Sequence, residues 1–548
     1  MWKIVSIFLV MIALIVAGIV DYDGDGYTLP TPQNLEIRDW SEIRTWYDLD
    51  AVRHNLTGNY TLMNPLDSTT AGYEELASET ANGGKGWQPI GTWENPFSGN
   101  FDGRAWEIRD LFINRPDENL VGLFGIVGEG GVIGNVGVWL ADVTGGEGVG
   151  GLVGRNWDGT VSSSYSTASV SSDSGIGGLV GYSRGTLINC YFAGDVAGDE
   201  CVGGLVGQNC GPVSYCFASG SVIGESCVGG LVGDNFDTVS NCFYAWGGTV
   251  IGEEAVGGLV GQNVYGTVSN SYSRSSVSGN SKVGGLVGTN LGTVSDSYAN
   301  SSVVGYSQVG GLGGWNIGTV SNCYSSGTVT GNSPVGGLVG VNVYGTVVNS
   351  FWDTETSGQA TSDGGMGKTT VQMQDIATFS GAGWNITAVA SAVAPNPAYI
   401  WNIIDQHLYP FLGWHYHGWP LHYPRGHILP TQETRTTPLG YFMLTVSPAE
   451  VCANISEQIE IRCSIASSIN CLVEISSVDM LLFDSYDSMI REQAMTKDSY
   501  WSAHTVYTIV GDEAYYQLKV NFFFPGGKPE EHSEYGAHSF PILVNQNG

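Results

Sequence analysis

The phrase Gly-Leu-Val-Gly returns through the middle of the chain at an almost fixed interval, and that interval limits the fold more than any other feature. Nine copies of Gly-Leu-[Val/Phe/Gly]-Gly are headed by Leu123, Leu152, Leu179, Leu205, Leu231, Leu259, Leu286, Leu312 and Leu338, 26 to 29 residues apart. Self-similarity at a period of ~20–50 residues is the signature of a solenoid, a propeller or an array. A typical unit, residues 284–309, reads GGLVGTNLGTVSDSYANSSVVGYSQV and holds three β-prone pieces separated by Asn-Gly, Ser and Gly punctuation. None is long enough for a helix. At ~3.3 Å per residue, such a unit traces one coil of three short sides, the contour of a parallel β-solenoid.

Aligned coils give columns. Two residues after each Leu-Val-Gly stand Asn156, Ser183, Asn209, Asn235, Asn263, Asn290, Asn316 and Asn342. Asn tolerates the left-handed conformation of a sharp corner, and stacked amides can bond along the axis, so these Asn residues are expected to form a structural ladder at that corner. Tyr165, Tyr191, Phe217, Phe243, Tyr272, Tyr298, Tyr324 and Phe351 form an aromatic column. The column just before it, Ser164, Cys190, Cys216, Cys242, Ser271, Ser297, Cys323 and Ser350, admits only small side chains. Cys190, Cys216 and Cys242 lie 26 residues apart, as do Cys201 and Cys227. In-register neighbours on parallel strands sit ~4.8 Å apart, whereas a disulfide wants Cβ atoms at ~3.8 Å, so stacked free thiols are expected. Paired glycines such as Gly203-Gly204 mark either a close approach of coils or a positive φ.

At these residues the sequence is similar to the GLUG-repeat proteins, which occur among exported bacterial and archaeal proteins, including some IgA-specific metallopeptidases. The resemblance covers about residues 121–352, with Phe124 and Gly313 replacing the usual Val in the first and eighth copies. Residues 56–67, 86–103 and 106–116 look like the leader of such arrays, an N-terminal coil that caps the solenoid, and residues 351–373 look like their exit segment. The resemblance implies an extracellular surface or adhesive role.

The rest of the chain divides around this array. Lys3 and the apolar run from Ile4 to Val20 read as a signal peptide over residues 1–18, or as an N-terminal anchor. An acidic linker over 19–34 and a leader over 35–120 precede the repeats, and a cap with an aromatic and His-rich linker occupies 353–429. Within it, residues 407–427 read as an aromatic plug over the solenoid end, although His415 and His417 could share a transition metal. From residue 430 to 548, alternating strand candidates suggest an immunoglobulin-like β-sandwich. The fold expected is therefore all-β: about nine coils with caps, then a sandwich.

Composition narrows the partners. The 548 residues carry 52 Asp plus Glu against 20 Lys plus Arg, a formal charge of −32. Phosphate backbones are then repelled and nucleic acid is excluded as a partner. Asp21, Asp23 and Asp25 with Gly26 match the front of a calcium loop, but its twelfth position is Pro32, so Ca²⁺ is the one cofactor considered and its site is incomplete. Sequons at Asn55, Asn59, Asn300, Asn385 and Asn454 suit a glycosylated exterior. No catalytic residue is assigned. GYSRG at 181–185 lacks the strand-to-helix context of a nucleophile elbow, GEGVGG at 146–151 lacks a βαβ unit, and HExxH is absent. The chain reads as a secreted or cell-surface structural or adhesive protein, not an enzyme. Its partner would be a surface glycan or an envelope or matrix protein, and it would touch a membrane only through an uncleaved N-terminal segment. The competing reading, a polysaccharide lyase or hydrolase on a parallel β-helix, requires clustered acids on adjacent coils.

Overall fold

A computed structural model describes residues 40–245, 247–390 and 395–414 in full, and strands alone between 431 and 545. Residues 124–342 wind into a parallel β-solenoid. One side is a nine-stranded sheet running from Phe124–Val127 through Val206–Asn209 to Val339–Asn342, one strand from each coil. The remaining sides form a continuous 34-stranded sheet, in which like positions pair with like: Thr160 with Thr186, Tyr191 with Phe217, Val228 with Val256. The same ladder continues upstream through Asn100–Arg109 and Asn59–Leu62 to Trp40–Ile43. The leader is thus built of further coils.

Strict register follows from the core. In the coil that starts at Leu205, Leu205, Val206, Val213, Cys216, Ala218, Val222 and Val228 are all fully buried. Sliding a strand by one residue would turn these side chains outward, and each buried Val or Leu contributes roughly 1.5–3 kcal/mol. A Cβ on Gly203 or Gly204 would overlap Val206 O or Gly230 O, and neither residue has a positive φ. Close approach of coils, not backbone handedness, therefore dictates the paired glycines.

The Asn ladder runs inside the solenoid wall. Asn209 donates to Asn235 at 2.9 Å, Asn235 to Asn263 at 2.8 Å, Asn263 to Asn290 at 2.8 Å, Asn290 to Asn316 at 2.7 Å and Asn316 to Asn342 at 2.7 Å. Ser183 interrupts it, bonding Gly185 O instead, and Asn156 turns to Gly159. One expectation needs correction. Left-handed corners fall in other columns: Ser163, Asn189, Tyr215, Asn241, Asn270, Asp296, Asn322 and Asn349, with φ between +47° and +55°, and Cys201, Cys227, Ala255, Lys282 and Gln308, with φ between +52° and +56°. The ladder residues end strands, and their side chains serve the amide chain.

Cys190, Cys216 and Cys242 are buried and unbridged, and the Cys190 and Cys216 amides face the next coil's sulfur at 3.4 and 3.5 Å. Burial raises the Cys190 and Cys216 thiols well above their ordinary pKa. Cys201 and Cys227 are also free.

Both ends of the ladder are covered. At the N-terminal end the helix Trp46–Ala51, held by a capping box between Thr45 and Asp48, inserts Trp46 and Leu49 into the core. At the other end Gly337 N bonds Thr361 O at 3.0 Å, Ser362 Oγ accepts from Leu338 N at 3.2 Å, and Asp363 accepts from Asn342 N at 2.7 Å. These bonds satisfy an edge that would otherwise template another strand.

The segment after residue 369 does something else. Rings from Tyr165 to Tyr324 stack with centroids 4.6–5.1 Å apart and planes within 12°. From Phe217 to Phe351 the column lies outside the core, in a second apolar cluster with Phe379, Trp384, Trp401 and Leu412. Trp384 lies 5.9 Å from Phe351, Trp401 5.8 Å from Tyr324, and Trp414 6.1 Å from Tyr272. Residues 369–414 therefore run back along the flank, carrying two short helices and a three-stranded sheet. The expected plug over the end, begun at residue 407, lies on the side as far as Trp414; the rest of it, with His415 and His417, is outside the described residues.

Between 431 and 545 eleven strands form a five-stranded sheet and a six-stranded one. No helix among the described residues is long and apolar enough to cross a membrane.

Removing Asn263 breaks its two amide bonds along the axis and its bond to Gly266 O, at about 0.5–1.5 kcal/mol each. Asn263→Ala should lower stability in urea titrations by about 2–4 kcal/mol, and Asn342→Ala, at the ladder's end, by less than half of that. Alkylation of the native protein followed by peptide mapping should label exposed Cys210 first among the seven described thiols and leave Cys190, Cys216, Cys242 and Cys323 unlabelled until denaturation.

Candidate functional site

On each strand of the nine-stranded sheet, the residue before the ladder position belongs to one outward column. Reading along the axis, this column is Ile126, Arg155, Tyr182, Gln208, Asp234, Gln262, Thr289, Trp315 and Val341, of which Ile126, Asp234 and Thr289 are covered by their neighbours. Large members rest on small neighbours: Tyr182 covers Gly175, where φ is +64° and a Cβ would strike its ring.

At the N-terminal end of this face the column joins a cluster of rings. Trp93 comes from the leader loop and is 57% exposed, and its ring meets Trp157 edge-on at 5.4 Å. The Arg155 guanidinium lies 4.4 Å from the Trp157 centroid, 5.1 Å from Trp93 and 5.7 Å from Tyr182. Arg184 lies 4.8 Å from the other indole, Trp157, and pairs with Asp158 at 3.3 Å. Between residues 121 and 352 the chain has four cationic side chains, Arg155, Arg184, Arg274 and Lys282. Two of them meet here. Lys282 bonds Glu254 at 2.6 Å and Arg274 bonds Tyr298 at 3.1 Å. Arg155 has no hydrogen bond or ion pair to any described residue, and the ionisable groups that bear on it are Tyr182, Cys210 and Arg184.

Farther along the column, Asp234 is buried, and its Oδ1 has no hydrogen-bond partner among the described residues. Burial raises its carboxyl to about 6, against the hydrogen bonds from the Asn235 backbone and the Gln208 side chain. Cys201 and Cys227 lie beside it and feel its charge.

A further acidic feature escaped the sequence reading. Exposed Asp173, Asp199, Glu225 and Glu253 stand at the same corner of successive coils, each linked to the next through backbone bonds of 2.8–3.0 Å. The phrases SSDSG, AGDEC, IGESC and IGEEA carry the signal, but alternating Asp and Glu disguise it. No three His, Cys, Asp or Glu side chains converge on a metal position among the described residues. Asp353, fully buried, receives Tyr409, Thr370 and two backbone amides, so its carboxylate is consumed in holding the flank segment.

Other expected sites are scattered. Asp21, Asp23 and Asp25 lie outside the described residues, as does the side chain of Asn454. Asn55, Asn300 and Asn385 are exposed, whereas Asn59 is half-buried and accepts from Asn100 at 2.6 Å. Ser183 and the glycines of 146–151 are parts of coils with no helix after them. The Arg–Trp cluster was missed because Trp93 lies outside the repeats, and no periodic signal connects it with Arg155.

These features define a parallel β-solenoid repeat protein with an aromatic and basic patch at the leader end of a weakly charged wall. Three of its repeats match the GLUG motif, at residues 145–171, 252–278 and 305–330. Over 94 residues the chain is 38% identical to a putative Gly-rich membrane protein of Evansella cellulosilytica, a stretch covering 17% of this chain and 10% of that protein. Over 145 residues it is 32% identical to halomucin of Haloquadratum walsbyi, covering 26% of this chain and 2% of that protein. The chain thus spans only a small part of the length of either relative.

Asp234 sets a pH dependence. Its folded carboxyl is raised from 3.8 to about 6, so its favourable share of stability is complete below 3.8 and is lost as the pH rises through 6. The full loss is on the order of 3 kcal/mol. Asp234→Asn should therefore melt above wild type at pH 8 and close to it at pH 4, as read by calorimetry at both values.

Proposed function

We propose that the protein is an extracellular or cell-surface structural protein, whose solenoid serves as a stiff spacer and adhesive wall and performs no catalysis. The single observation that carries this reading is the unbroken register of the coils. From Phe124 to Asn342 every strand of the nine-stranded sheet pairs in parallel with its neighbour, and among the described residues no inserted loop gathers acids and bases. Catalysis on such a scaffold needs a local break, where a few coils exchange Ser, Thr or Asn for convergent titratable groups. Many weak, equally spaced contacts along a repeating wall suit multivalent attachment instead. The relatives' names, a putative Gly-rich membrane protein and halomucin, agree with a surface location. The run from Ile4 to Val20 supports export, with residues 19–548 outside the membrane.

In this reading the strands from residue 431 onward form an immunoglobulin-like module carried by the solenoid. Support comes from their pairing, antiparallel except where Val451–Asn454 runs beside Phe540–Asn545. The partner is a surface glycan or an envelope component.

Location can be tested directly. In cells producing the full chain, protease added outside intact cells should remove the protein, or it should appear in the medium, while a cytoplasmic marker stays intact. Full protection until lysis would overturn the proposal.

A further inference from the structure

The Arg155 cluster joins three properties that a wall of stacked coils does not require. The first is an unpaired cation. A guanidinium carries five N–H donors in a planar fork suited to two oxygens of one anion. Arg155 has no such acceptor among the described residues, and the rings of Trp93, Trp157 and Tyr182 hold it in place from three directions. Ring contacts alone satisfy none of its N–H groups. The second is a platform: Trp93 leaves more than half of its surface in solvent, at the edge of an indole pair. The third is a supporting charge, since Arg184 shares the Trp157 ring and its own partner, Asp158, leaves it half exposed.

Position adds to this. Arg155 and Tyr182 are register partners on adjacent strands, and the Trp93 loop is anchored by bridges from Ile90 and Phe97 to Phe124 and Val127 one strand earlier. The patch spans about 14 Å along the axis at ~4.8 Å per coil. That length suits a short run of linked rings better than a single small ion.

We propose that Trp93, Arg155, Trp157, Tyr182 and Arg184 form a binding site for an anionic polysaccharide. The C–H face of a sugar ring would lie on Trp93, with its carboxylate or sulfate taken by the Arg155 fork and Arg184 close by. Indoles offer a negatively polarised face to the sugar's C–H groups, and the same rings hold the arginine rigid, so little side-chain entropy is lost on binding. A formal charge of −32 repels polyanions from the molecule as a whole, so any such polymer that binds must do so through a local basic patch.

This site rests on the surface reading only for the ligand's access to it. Binding by purified protein is indifferent to location, so a failure here and a failure of the protease experiment are distinguishable. Affinity electrophoresis and calorimetry of the full chain should be run with polygalacturonate, dextran sulfate and uncharged dextran. At least one charged polymer should retard the protein and dextran should not. Retardation by polygalacturonate alone, by dextran sulfate alone or by both supports the proposal and identifies the group as carboxylate, sulfate or either. Arg155→Gln should weaken binding at least tenfold, and Trp93→Ala, at an exposed position whose loss spares the core, at least fivefold, with circular dichroism unchanged. Absence of binding to both charged polymers, equal retardation by dextran, or unchanged affinity in Trp93→Ala would overturn the site.

Discussion

Everything in this molecule depends on stacking each residue upon its own counterpart one coil away. Parallel pairing at ~4.8 Å brings like side chains into contact, so a residue type is admitted only if it can neighbour itself. Val and Leu pass because they pack; Asn passes because its amide donates upward and accepts from below, as from Asn209 to Asn342. Tyr and Phe pass because parallel rings at 4.6–5.1 Å still gain dispersion on the outer wall. Unbalanced charge passes only at exposed corners, where water screens the run of Asp173, Asp199, Glu225 and Glu253.

The same rule explains where the exceptions fall. In the middle coils large inward rings alternate with small residues: Phe192 is followed by Ala218, and Tyr244 by Ser273. Each sits against a glycine, Gly178 or Gly230, on which a Cβ would collide with the ring. Asp234 is an exception of another kind, a carboxyl buried among thiols and left with an unpaired oxygen. The wall can hold it because the surrounding register comes from its neighbours. The Arg155 cluster lies where the repeats meet the leader, at a stretch of this face where a non-repeating loop supplies a ring.

How much of this the sequence made legible follows from the same cause. A stacked column repeats its residue at each period, so the coil count, the amide ladder and the free thiols of Cys190, Cys216 and Cys242 could be read without coordinates. Two columns rich in Asn were confused, because a residue in a left-handed corner, such as Asn270, and one in a ladder, such as Asn263, look alike in letters. Only backbone geometry separates them. Features made by elements that do not repeat were invisible: nothing in Trp384, Trp401 and Trp414 says whether they cover an end or a side. Likewise, Trp93 and Arg155 are joined by folding and not by spacing.

The returning flank segment has a consequence for how force would travel. Trp414 bonds Asn270 O at 2.9 Å, so the described chain leaves the rod beside a middle coil and not at its tip. Pulling on whatever follows would first load the aromatic seam crosswise, one ring contact after another, like peeling tape. Tension along the rod axis would instead pull along the hydrogen bonds that join coil to coil, loading every strand of a cross-section at once. Contacts opened one after another yield at lower force than bonds loaded together, so the seam can act as an extensible fuse that lengthens before any coil separates.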